Sequence, residues 1–180
     1  MIETIPDTLS RREYSRVDVY IPLEFRLVSK EECGLVKSRI SGDLMLADFN
    51  LMPPLDDHPQ KECLILLNKK LDSLIQMLAL QYEGFHSLHF KYASISGNGM
   101  KFSSQQHFSL GDVIEFKMIL TMHQSVALCV YGKVIRVENQ TSGFIITVCL
   151  IKINDVIRDR IIQFVFEMER DMLRGRRKII

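Results

Sequence analysis

The chain has 180 residues, 47% of them hydrophobic, with 23 basic against 22 acidic side chains and a net charge of +1. That length supports one substantial core, or one core with an elaborate insertion, and argues against a second full domain. The near-cancelled charge excludes a global field steering the protein to nucleic acid or an anionic membrane, so any nucleotide site must be local.

The opening stretch, MIETIPDTLSRRE, is polar and acidic with no apolar run before its arginines, unlike a signal peptide. No apolar segment is long enough to span a bilayer. Cys33, Cys63, Cys129 and Cys149 show no C-x-x-C pairing or metal spacing, which reads as reduced thiols in a cytoplasmic protein. Arg11, Arg12 and Arg16 then place guanidinium groups on a short arm, which taken alone is a solvated basic segment.

From Val17 to Leu27, Val17, Val19, Ile21, Leu23, Phe25 and Leu27 alternate with Asp18, Tyr20, Pro22, Glu24 and Arg26, the period of a half-buried strand. Pro22 cannot donate to a ladder and predicts an edge or a bulge there. Residues 29–84 break the β character, with the loop-like run Met52-Pro-Pro-Leu-Asp-Asp-His-Pro59 in their middle; its Asp56, Asp57 and His58 serve to keep a loop solvated. This is the insertion. Leu64, Leu67, Leu71, Leu74 and Leu78 recur at alternating steps of three and four, predicting a helix with a continuous leucine seam. Such a seam packs either on its own barrel or against another chain.

β character resumes from Phe85 to Ala93 and runs into Ser94-Ile-Ser96-Gly-Asn-Gly99, a turn in which glycines supply positive φ and serines satisfy the backbone, before Met100-Lys-Phe102. His86 and His89 lie an odd number of residues apart, on opposite faces of a strand, and so do not share a metal. Asp112–Met122 puts Ile114, Phe116, Met118, Leu120 and Met122 on one face, and 126–137 and 144–153 are further β stretches. Roughly six closely spaced strands predict a small barrel. A final helix over 154–174 starts at an Asn154 or Asp155 cap and carries the stripe Ile157, Ile161, Phe164, Val165 and Met168. Arg174, Arg176, Arg177 and Lys178 complement its macrodipole without needing a ligand. No nucleophile, base or metal constellation appears at catalytic spacing, so no enzymatic activity is expected.

Taken in order, Arg12-Glu-Tyr-Ser-Arg16 and Ser94-Ile-Ser96-Gly-Asn-Gly99 resemble the PilZ domain signature, R-x-x-x-R followed by [D/N]-x-S-x-x-G. Gly111-Asp-Val-Ile-Glu-Phe116, Val130-Tyr-Gly-Lys-Val-Ile-Arg-Val137 and the closing helix are similar to the later part of that family. Leu67-Asn-Lys-Lys-Leu-Asp72 in a leucine-rich helix resembles its atypical helix-inserted subgroup, some members of which assemble as tetramers. The resemblance implies a mainly β, small antiparallel barrel with a helical insertion after the first strand, a C-terminal helix and one domain over 1–180. It implies a cytoplasmic regulator that binds cyclic di-GMP as its ligand, with no other cofactor. Arg12 and Arg16, helped by Arg11, would fork onto phosphate or guanine. Ser96 would bond a base or brace the turn, and Gly99 would let backbone approach the ligand. Ser94 stands where the family has Asp or Asn, and it cannot accept two guanine donors as a carboxylate does. The subgroup resemblance points the leucine seam toward a homo-oligomer. Two functions follow: a cyclic di-GMP receptor that changes a surface for a downstream protein, or an oligomeric scaffold of the same fold that has lost the ligand.

Overall fold

The alternation from Val17 builds β1 (Arg16–Leu27), in which Val17, Val19, Ile21 and Leu23 are buried while Asp18 and Tyr20 face solvent. A computed structural model describes residues 14–41, 60–121 and 125–177. Within them follow β2 (Arg39–Ile40), α1 (Lys61–Tyr82), β3 (Phe90–Ser96), β4 (Gly99–Ser104), β5 (Val113–Leu120), β6 (Val126–Gln140), β7 (Gly143–Ile151) and α2 (Asp155–Arg177).

Strands neighbour one another in the order β2-β6-β5-β1-β3-β4-β7, and a further β6–β7 pairing closes the six longer ones into an antiparallel barrel, with β2 as an extra strand on β6. Closure removes the exposed edges that an open sheet would present. This is the mainly β barrel with helical additions that the sequence predicted.

Pro22 lies at neither an edge nor a bulge. Residues 16–22 of β1 pair with β3 and 23–27 pair with β5, so the proline sits where the strand passes from one neighbour to the next. A residue without an N–H is tolerated where the ladder already changes sides. The bulge lies instead in β6, between Val134 and Arg136 opposite β7.

Several boundaries differ from the sequence expectation: β5 ends at Leu120, β6 runs on to Gln140, β7 spans Gly143–Ile151 and α2 runs to Arg177. Arg39 and Ile40, inside the stretch read as free of β character, pair with Cys129 and Leu128 of β6; a two-residue strand has no period to detect. Phe85–Ser87 is a 3₁₀ turn, so β3 starts later and continues through Ser96, leaving Gly97-Asn98 as the whole turn. Asp56, Asp57, His58 and Met122 lie outside the described residues.

Core formation follows the inward positions. Phe25, Phe102 and Phe116 meet inside the barrel, with ring centroids 4.5 Å apart for Phe25–Phe102 and 5.2 Å for Phe102–Phe116. Asn154 Oδ1 accepts from Ile157 N at 2.9 Å and caps α2. The stripe Ile157, Ile161, Phe164 and Val165 is buried in the same core, which seats α2 beside β1 and β3. Near its end Arg174 lies 3.9 Å from Asp171.

α1 behaves differently. Only Ala79 is buried, Leu64 is half-buried, and Leu67, Leu71, Leu74 and Leu78 are 51%, 56%, 55% and 63% exposed. The helix is fixed at its C-terminal end, where the Glu83 carboxylate accepts from Arg39 at 3.0 Å and Ser41 at 2.9 Å while Lys117 Nζ donates to the Glu83 carbonyl at 2.6 Å. The leucine seam is therefore not packed against the described part of its own barrel.

Candidate functional site

Strand register brings the site together. Outward positions of β1 face outward positions of β3, pairing Arg16 with Ser96, Asp18 with Ser94 and Tyr20 with Tyr92. On the far side of β3, Ser94 pairs with Lys101 of β4. Carboxylate, hydroxyl and ammonium thus form one cross-strand row, with Arg16 two residues along β1 on the same face. Arg16, Asp18, Tyr92, Ser94, Lys101 and Ser103 line an open cleft of about 450 Å³. Next to it the Tyr20 ring lies 4.6 Å from Tyr92 and 5.4 Å from Phe90, an aromatic stack on the outside of the barrel. Lys101 lies 3.8 Å from Glu138, which also pairs with Arg136 at 3.0 Å.

The segment leading into β1 is docked rather than loose at its last residues. A Cβ placed on Gly97 would lie 2.8 Å from Tyr14 Cδ1 and 3.0 Å from Ile162 Cγ1, so the turn accepts the tyrosine ring and α2 only because residue 97 lacks a side chain. Ser15 Oγ donates to Glu169 of α2. These contacts fix the start of β1 and with it Arg16.

The turn glycines differ from expectation: positive φ among the described glycines occurs at Gly84, Gly111 and Gly143, not at Gly97 or Gly99. Gly99 is required because a Cβ there would lie 2.5 Å from the Val148 carbonyl oxygen, closer than any real contact. The glycine lets β4 lie against β7. Ser96 is buried and its Oγ donates to the Gly99 carbonyl at 3.0 Å, which commits that hydroxyl to the turn.

Of the expected ligand residues, Arg16 and Ser94 share the cleft, Ser96 and Gly99 build the turn beside it, and Arg11 and Arg12 lie outside the described residues. Asp18, Tyr92 and Lys101 were not singled out from the sequence. Their signal was the parity of β1 and a two-residue turn, which together set the register.

A second cleft, of about 300 Å³, is lined by Glu24, Arg26, Glu115 and Lys117, but its charges already have partners. Arg26 meets Glu115 in a two-pronged contact, Nε to Oε1 at 3.0 Å and Nη2 to Oε2 at 3.1 Å, and Tyr131 donates to Oε2 at 2.8 Å. Burial pushes the Glu115 carboxyl up, yet the hydrogen bonds from Arg26 and Tyr131 outweigh it and leave the group below the ordinary carboxylate range. Burial and the acceptor Glu115 push the Tyr131 phenol up. Glu24 holds Lys91 at 2.7 Å and His89 at 2.9 Å, while His86 Nδ1 lies 3.1 Å from the Gln81 carbonyl oxygen. Among the described residues, no group of three His, Cys, Asp or Glu side chains is placed to hold a metal, and no helix is long and apolar enough to cross a membrane.

The sequence profile of the PilZ domain matches residues 76–167, from within α1 to within α2. A solved structure from Xanthomonas campestris, described as a pathogenic protein with a tetrameric PilZ domain self-assembled via an unusual helical bundle, superposes with a TM-score of 0.57 at 12% identity, covering 90% of this chain and 92% of that one. At that identity the likeness shows the fold. Comparison with curated proteins finds no match.

Proposed function

The chain belongs to the PilZ domain family, and on that premise we propose that it is a cyclic di-GMP-responsive regulator that acts through protein contacts in bacterial motility, pilus, biofilm or virulence control. The observation that carries the proposal is the meeting of Arg16 and Ser94 in one open cleft on the outer wall of the barrel. Cyclic di-GMP offers two phosphates and two guanine bases. A guanidinium can fork onto either, while a serine hydroxyl supplies one further hydrogen bond. Arg12, four residues before Arg16, brings a second guanidinium on the arm that leads into β1, with Arg11 beside it. A ligand held in the cleft would change the surface offered to a downstream protein. PilZ domains bind and regulate rather than catalyse. Four free thiols accord with a reducing, cytoplasmic setting. The test is ligand-dependent stabilisation: at a hundredfold excess over Kd, binding to the native state adds about 2.7 kcal/mol and raises the melting temperature. No shift with saturating cyclic di-GMP contradicts the reading.

α1 favours a second role alongside the first. A helix with four seam leucines more than half exposed leaves apolar surface that a second copy of the same helix can cover. The Xanthomonas structure described as assembling by a helical bundle supports a homo-oligomer here, which would hold several barrels in a fixed arrangement. If the ligand reading fails, this scaffold role is what remains.

A further inference from the structure

Asp18 is the unexplained charge of the cleft. Among the described residues its carboxylate has no hydrogen bond or ion pair, yet it lines the pocket beside Ser94 and on the same face as Arg16. A free carboxylate facing a site meant for a phosphodiester is unfavourable by like-charge repulsion, unless it meets hydrogen-bond donors on the ligand. A guanine base has such donors. Its N1–H and N2 amino group lie side by side on one edge, and an ionised carboxylate is an acceptor with two oxygens to receive both. Its other edge presents O6 and N7, which suit a guanidinium. Adenine presents an acceptor at N1 and no N2 amino group, so the same carboxylate would repel that edge. Arg16 and Asp18 lie two residues apart on one strand face, about 6.6 Å along it, a spacing on the scale of a purine. The Tyr92 ring, 74% exposed and lining the same cleft, supplies a flat surface for the base.

We propose that Asp18 is the guanine-selecting residue of this cleft, accepting the N1–H and N2 amino donors that Ser94 cannot accept together. This rests on the reading of the cleft as a cyclic di-GMP site and adds the residue that sets its base preference. In the row Asp18, Ser94, Lys101 the carboxylate reads the base, while Lys101 at the other end lies 3.8 Å from Glu138.

The test is calorimetric titration of the full chain as wild type, Asp18→Ala, Asp18→Asn and Arg16→Ala, each with cyclic di-GMP and with its inosine analogue, which lacks the N2 amino group. Wild type should prefer cyclic di-GMP by about tenfold or more, and Asp18→Ala should lose about tenfold in affinity together with most of that preference. Asp18 is exposed, so the melting temperature should stay unchanged. Equal or tighter cyclic di-GMP binding by Asp18→Ala and Asp18→Asn, with guanine preference intact, overturns the proposal; tighter binding identifies the carboxylate as a mere repulsive charge. Loss of affinity in Arg16→Ala alone leaves the site and removes the role of Asp18. A wild type that binds neither compound removes both.

Discussion

Gly99 faces the Val148 carbonyl so closely that a Cβ on it would lie 2.5 Å from the oxygen. The clash is backbone against side chain in paired strands, and neither partner can swing away. Gly99→Ala should therefore force β4 from β7 and destabilise the fold by ~1–3 kcal/mol. Urea unfolding reads this as a lower midpoint. Gly97→Ala meets the Tyr14 ring instead, a side chain that can turn aside, and should cost less stability while loosening the segment that carries Arg16.

Glu115 gives a pH dependence with a definite sign. Its folded pKa lies below the unfolded value because Arg26 and Tyr131 hydrogen-bond the carboxylate against the opposing effect of burial. The stability it contributes is thus fully present above an unfolded pKa of about 4.3 and is lost as pH falls through the lower folded value. Because Arg26 is 53% exposed, solvent screens the pair, and Glu115→Gln should remove only ~1–2 kcal/mol at neutral pH. Unfolding curves across the acid range should be flatter for the variant. An unchanged slope would show that the pair does not report on acid stability.

The leucine seam predicts an assembly larger than the 20.9 kDa of one chain. Leu71→Asp with Leu78→Asp places charges in any helix bundle and should weaken it by several kcal/mol, on the order of 3–6. Light scattering should report a smaller particle, and circular dichroism should report an intact barrel, since both leucines are exposed on α1. A wild type already of single-chain mass removes the oligomer.

The barrel was legible because strands buried on one face keep a period of two, as 17–27 and 113–120 do. α2 was legible for the corresponding reason: its apolar stripe and Asn154 cap are local. β2 was not, being two residues long, and Pro22 was misplaced because alternation within one strand cannot show that the strand changes neighbours midway. In the cleft, Arg16 and Ser94 were found by motif, whereas Asp18, Tyr92 and Lys101 depend on cross-strand register. The glycines of the turn carried a signal of the wrong kind. Their necessity comes from Tyr14, Ile162 and Val148, contacts remote in sequence, rather than from their own dihedral angles.

Arg16, with Arg12 four residues before it, is proposed to hold cyclic di-GMP against the outer wall of the barrel. Calorimetric titration of wild type, Arg12→Ala, Arg16→Ala and Ser94→Asn tests it most directly. On the proposed reading each arginine would make charge-assisted contacts worth about 1.5–3 kcal/mol, so either alanine variant should bind roughly tenfold or more weakly. Arg16 is exposed, and its replacement should leave the melting temperature nearly unchanged. Saturable binding by wild type, weakened by each arginine variant, is the predicted result. The absence of binding at high micromolar ligand in wild type and in Ser94→Asn alike would contradict it and leave the oligomeric scaffold.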